Sequence, residues 1–152
     1  MVGRLIAQAK KNFRDYKIID QYQAGIVLNG SEIKSLRNQQ VSIAEAYVLP
    51  QQKELYIVNM PIVVYKHSPG DLAKVHNPRR KRKLLLKRRE INKLIGTMKA
   101  KNYALIPLQL FFTNKGWAKL EIALAQHLRK YQIKEKVKEK EIKRRLHQGD
   151  YY

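Results

Sequence analysis

"YALIPLQLFFTNKGWAKLEIALA", residues 103–125, carries the clearest structural signal in the chain. Two apolar runs flank Asn114-Lys115-Gly116, a turn sequence of the kind that joins antiparallel strands. In the second run Trp117, Lys119, Glu121 and Ala123 alternate with Ala118, Leu120, Ile122 and Leu124. Period-two alternation is the mark of a half-buried strand. The stretch predicts a β-hairpin and sets the expectation of an antiparallel, strand-rich domain.

Working outward, "YKIIDQYQAGIVL" (16–28) is rich in Ile, Val and Tyr and predicts one strand, or two broken near Gly25. "AEAYVLPQQKELYIVNM" (44–60) predicts a second hairpin, with its polar turn near Gln51-Gln52-Lys53. Pro61 pushes the following "IVVY" to an edge position or a bend. Helices are fewer. In "NGSEIKSLRNQQ", Asn29-Gly30 reads as a turn, Ser31 as an N-cap and Glu32 as a first-turn carboxylate, giving a short helix over about 32–39. In "REINKLIGTMKAKN" (89–102), Ile91, Leu94, Ile95 and Met98 share one helical face. Residues 1–15 are basic and mixed and read as a loosely held arm. Residues 66–78, with two prolines and a glycine, read as a loop. The expected architecture is mainly β: a single OB-like antiparallel barrel of about six strands over 16–127, with flanking helices and a basic C-terminal tail over 128–152.

The charge balance narrows the function. The chain has 152 residues, with 32 Lys and Arg against 12 Asp and Glu, a formal net charge of +20. Such an excess repels itself unless a polyanion neutralises it. No run approaches the roughly 18 apolar residues of a membrane span, so nucleic acid is favoured over a membrane surface. There is no cysteine, which excludes disulfides and Cys-based zinc sites and fits a reducing cytoplasm. His67, His76, His127 and His147 form no HxxxH or HxH pair, and no P-loop, GxGxxG or GxSxG motif occurs. The expectation is a non-enzymatic protein with no metal and no cofactor.

Eight of the eleven residues from Arg79 to Arg89 are cationic, and the other three are Leu84, Leu85 and Leu86. Leucines inside a cationic run predict a folded basic rim, entered as a short strand, rather than a solvated tail or a nuclear localisation signal. Alternation sends Leu84 and Leu86 to one face and Leu85 to the other; either Leu86 stays near the surface as an apolar contact to RNA, or the Ile91–Met98 helix buries all three leucines. The nine tyrosines offer stacking platforms, although packing in the barrel wall is the simpler role for most of them. Glu32 stands beside Lys34 and Arg37, either as a dipole-favoured first-turn carboxylate or as an acceptor for a base edge. From Arg129 onward, "RKYQIKEKVKEKEIKRRLHQ" holds nine cations and three glutamates and no single apolar stripe. That pattern predicts a segment disordered alone and helical against a partner.

"GIVLNGSEIKSLR" (25–37) resembles the SsrA-binding protein (small protein B) family, and four further segments agree in order: 46–60, 76–96, 102–125 and the Lys/Glu tail. The resemblance implies an OB-like barrel that binds the tRNA-like domain of transfer-messenger RNA (tmRNA) and brings it to stalled ribosomes in trans-translation. A structural ribosomal or ribosome-assembly protein is the alternative for a chain of this charge. The expected RNA contacts are Lys11, Arg14, Tyr16, Glu32, Lys34, Ser35, Arg37, His76, Arg79, Arg80, Lys81, Arg82, Lys83, Leu86, Lys87 and Arg88. The tail residues Arg129, Lys130, Tyr131, Lys134, Lys136, Lys138, Lys140, Lys143, Arg144 and Arg145 are expected to meet rRNA at the decoding centre and in the mRNA channel. A monomer in the cytoplasm is expected. The chain departs from the family pattern at Ala9, at Gln23 and across "AQHLRKYQIKEK" (125–136).

Overall fold

A computed structural model describes residues 2–63, 77–128, 138 and 140–142. The described residues form seven strands: β1 (Val2–Gln8), β2 (Tyr16–Ile26), β3 (Tyr47–Gln51), β4 (Glu54–Val58), β5 (Arg82–Leu85), β6 (Ala104–Thr113) and β7 (Ala118–His127). Three helices join them: α1 (Lys10–Asp15), α2 (Gly30–Arg37) and α3 (Arg88–Lys101). All strand pairings are antiparallel.

The pairing order β6-β3-β4-β5-β2-β7 returns to β6, so six strands close on themselves and β1 is added outside the ring. Closure depends on short contacts made by β6 and β2. β6 meets β3 at Leu105 and β1 from Gln109 to Thr113. β2 runs unbroken past Gly25; it pairs β7 from Tyr16 to Gly25 along one edge and β5 at Gly25 and Ile26 along the other. The ring thus has the six strands expected, and the seventh is the segment expected to be a loose arm. Residues 2–15 are held to the barrel rather than forming an arm: β1 pairs β6, with irregularities between Val2 and Arg4 and between Leu5 and Ala7, and α1 places Asn12 in the interior, where its amide donates to the Pro107 carbonyl at 2.7 Å. Ile6 and Ala9, three residues apart, are the apolar positions that this short basic stretch buries.

The 103–125 hairpin forms as read. β6 and β7 pair from Ala104↔Ala125 to Phe112↔Ala118, and Gly116 takes φ +86° in the turn. The second hairpin pairs Tyr47↔Val58 through Gln51↔Glu54, with Gln52 and Lys53 both at positive φ. Ile62, just past Pro61, lies outside the strands and pairs with Val41 as an isolated bridge, its N–H donating to the Pro78 carbonyl at 3.0 Å. α2 begins earlier than expected, with Asn29 rather than Ser31 as its N-cap. The Asn29 side chain accepts from the Glu32 N–H at 2.9 Å, and the Glu32 carboxylate accepts from the Asn29 N–H at 3.0 Å. In α3, Ile91 and Leu94 are buried and Ile95 and Met98 lie against the same core, as their spacing predicts. That core fills the ring with Leu36, Leu55, Ile57, Leu84, Leu105, Leu110, Leu120 and Ile122. A smaller cluster of Ile106, Leu108, Ala123 and Ala125 packs outside it beneath Phe13, Tyr16 and Ile18.

Candidate nucleic-acid interface

The cationic stretch enters the barrel as β5, and alternation divides its charges. Arg82 and Leu84 point inward and are fully buried, whereas Lys83 and Leu85 face outward. A buried guanidinium demands a counter-charge and a full set of acceptors. Glu32 supplies the charge: the Arg82 Nε donates to its Oε2 at 2.6 Å. The remaining Arg82 donors reach the carbonyls of Met60 (2.8 Å), Pro78 (3.2 Å) and Arg80 (3.2 Å). Arg80 closes the same knot, donating to Glu32 at 2.5 and 3.1 Å and to the Val27 carbonyl at 3.2 Å.

Glu32 therefore accepts four hydrogen bonds, from Arg80 twice, Arg82 and the Asn29 N–H. A carboxylate offers about four lone-pair positions. The side chain is fully buried and has no acceptor left for a base, so the expected base-edge contact is corrected. Burial alone would raise the Glu32 carboxyl; the hydrogen bonds from Arg80, Asn29 and Arg82 outweigh it and hold the group below its ordinary value. Burial lowers Arg82, and Glu32 opposes that shift. Ser35 is likewise buried, its hydroxyl donating to the Val63 carbonyl, and is not a surface contact. Arg82 also leaves the expected RNA surface, because its strand face points into the core. Leu86 lies past the end of β5 and packs on the core, so the exposed leucine is Leu85, at 51%.

The remaining expected residues fall into three groups. The first is a strip beside the β3–β4 hairpin. Arg79 donates to the Asn59 side chain at 3.3 Å, Lys81 sits 4.8 Å from the Tyr56 ring centroid, and Lys83 lies 3.9 Å from Glu54. Arg88 pairs with Glu54 and donates to the Lys53 carbonyl at 2.6 Å. The Arg88 hydrogen bond holds the Glu54 carboxyl below its ordinary value. Lys87 is exposed at the start of α3. The second group is α2, whose outer face presents Lys34 and Arg37. The Glu32–Arg80 bond ties this helix to the strip.

The third group lies where α1 meets β2. Lys11 and Tyr16 line a concavity of about 250 Å³ with Asp15, Glu45, Tyr47 and His127. Tyr16 stands edge-on to His127, with centroids 5.0 Å apart. Arg14 is turned to Asp15 at 2.9 Å. His127 and Tyr47 were not among the expected contacts. His127 stands opposite Tyr16 in the β2–β7 register, a relation across more than a hundred residues that the sequence does not display. His76 and the tail residues Arg129, Lys130, Tyr131, Lys134, Lys136, Lys143, Arg144 and Arg145 lie outside the described residues. Lys138 and Lys140 are helical and exposed. Among the described residues, no three His, Asp or Glu stand close enough to hold a metal, and no helix is long and apolar enough to cross a membrane.

A family model described as SmpB protein matches residues 6–149. The chain belongs to the SmpB protein family. Its relatives include the SsrA-binding protein of Sulfurihydrogenibium sp. (strain YO3AOP1), 44% identical over 147 residues, which cover 96% of this chain and 93% of that one. The SsrA-binding protein of Geobacillus thermodenitrificans (strain NG80-2) is 44% identical over 144 residues, covering 95% and 90%. Among solved structures, a chain from "tmRNA-SmpB: a journey to the center of the bacterial ribosome" superposes with a TM-score of 0.61 at 36% identity, covering 85% of each chain.

Proposed function

We propose that this chain binds the tRNA-like domain of tmRNA and carries it to stalled ribosomes for trans-translation. It acts as a cytoplasmic adaptor, without a catalytic step or a cofactor. The reading rests on the near-full-length identity to SsrA-binding proteins. The cation strip supports it, since exposed Lys and Arg on a rigid wall supply phosphate attraction at fixed positions. On the barrel, Lys11, Tyr16, Lys34, Arg37, Arg79, Lys81, Lys83, Lys87 and Arg88 are the proposed RNA contacts. Glu32, Ser35 and Arg82 position them from within. The segment 128–152, with Arg129 to Arg145, is proposed to serve the ribosome rather than tmRNA.

Binding to the tRNA-like domain of tmRNA is measured against an elongator tRNA and a plain hairpin of equal length. Clear preference for the first is expected, and equal binding of all three would sink the reading. Truncation tests the division of labour. The cut belongs after Leu128, because Ala125, Gln126 and His127 pair with β2 and the Leu128 N–H donates to the Asp15 carbonyl at 3.0 Å. The shortened chain is expected to keep tmRNA affinity and lose tagging in a reconstituted translation assay.

A further inference from the structure

Trp117 is the chain's only tryptophan. It is 66% exposed, an unusual state for the residue with the largest apolar surface. Its backbone is nonetheless fixed on both sides by Thr113: the Thr113 N–H donates to the Trp117 carbonyl at 2.8 Å, and the Trp117 N–H donates to the Thr113 hydroxyl at 3.1 Å. The indole is thus presented from a rigid turn. It lines a groove of about 340 Å³ with Val27, Ile33, Arg37, Phe112 and Ala118. Val27 is itself 44% exposed, and its carbonyl is the one that holds Arg80. The groove therefore abuts the buried ion knot and takes one wall from α2. No carboxylate lines it among the described residues. An exposed aromatic plane beside a guanidinium, free of negative charge, has the chemistry that accepts an unpaired nucleobase and its phosphate.

We propose that this groove is an RNA subsite in which Trp117 stacks on one unpaired base of the bound RNA while Arg37 meets the adjoining phosphate. The proposal rests on the adaptor reading above and extends its surface from α2 to the β6–β7 turn. A stacked base leaves the indole face dry and quenches its emission, and the lone tryptophan makes that signal unambiguous.

The test uses the full chain titrated with the tRNA-like domain of tmRNA, read by tryptophan emission and independently by filter retention. Saturable quenching is expected, with the same midpoint in both readouts. Trp117→Ala should weaken binding roughly five- to hundredfold, the range that base–aromatic stacking commands, whereas Trp117→Phe should hold within a few-fold. Thermal melts of both variants should match the parent, since the side chain is mostly outside the core. Unquenched emission at saturation, or wild-type affinity in Trp117→Ala, overturns the proposal. Unchanged RNA affinity with lost ribosome retention also overturns it and assigns the groove to a protein partner. Failure of the adaptor reading looks different: the parent would not prefer the tRNA-like domain over the plain hairpin. Quenching measured on either RNA would still decide the role of Trp117.

Discussion

Glu32 shows how a residue type can be legible and its role hidden. Its place in the first turn of α2 follows from the sequence. Its partners, Arg80 and Arg82, are some fifty residues away and become neighbours only when β5 passes the helix. Removing one member of a buried ion network leaves the others uncompensated, at a cost of about 3–5 kcal/mol. Glu32→Ala should therefore lower the urea midpoint sharply, and any loss of RNA binding should follow the loss of folded protein. The pH dependence has a definite sign. The folded carboxyl titrates below its unfolded value of about 4.3, so its contribution is present above that pH and is lost as pH falls through the folded value. Urea midpoints in the parent should drop as pH falls below the unfolded carboxyl value of about 4.3, and this component of the drop should be missing in Glu32→Ala.

At the scale of elements, α3 and the two hairpins could be read locally because each is specified by its own periodicity and turn. β1 could not. Its partner β6 begins about a hundred residues later, and a short basic stretch carries too few apolar positions to announce a strand. Gly3 marks the close approach: a Cβ there would stand 2.8–2.9 Å from backbone atoms of Phe112, Thr113 and Asn114. Gly3→Ala should detach the start of β1, seen as faster amide exchange at residues 2–5 and 110–113 with the rest of the barrel unchanged. Gly96 is the opposite case. It lies in α3 with open space around its Cα, so Gly96→Ala should raise stability by about 0.5–1 kcal/mol in urea unfolding.

Over the whole molecule, the charge of +20 pointed to a polyanion before any element was placed. What charge could not reveal was which cations face outward, because Arg82 and Lys83 are adjacent cations separated by strand parity. Parity makes a prediction. Each phosphate neutralised adds about 0.9 to the slope of log affinity against log salt. Replacing an outward Lys34 or Lys81 with Ala should lower the slope by about 1 for every RNA tested. A barrel was expected, but the contacts that close it were out of reach, since β2–β5 and β3–β6 involve only one or two residue pairs each.

The closing order of the ring also governs when the chain can fold. β1 and β2, the first strands made, pair with β6 and β7, the last. While the chain is being synthesised, β1 has no strand partner, and β2 has only its two-residue contact with β5, until residues 104–127 have emerged. Contacts so distant in sequence fold slowly, and a nascent chain that stops before β7 has an open barrel with its core in water. If the proposed function holds, a chain that serves ribosomes stalled on unfinished proteins would itself, when unfinished, be one whose barrel cannot close.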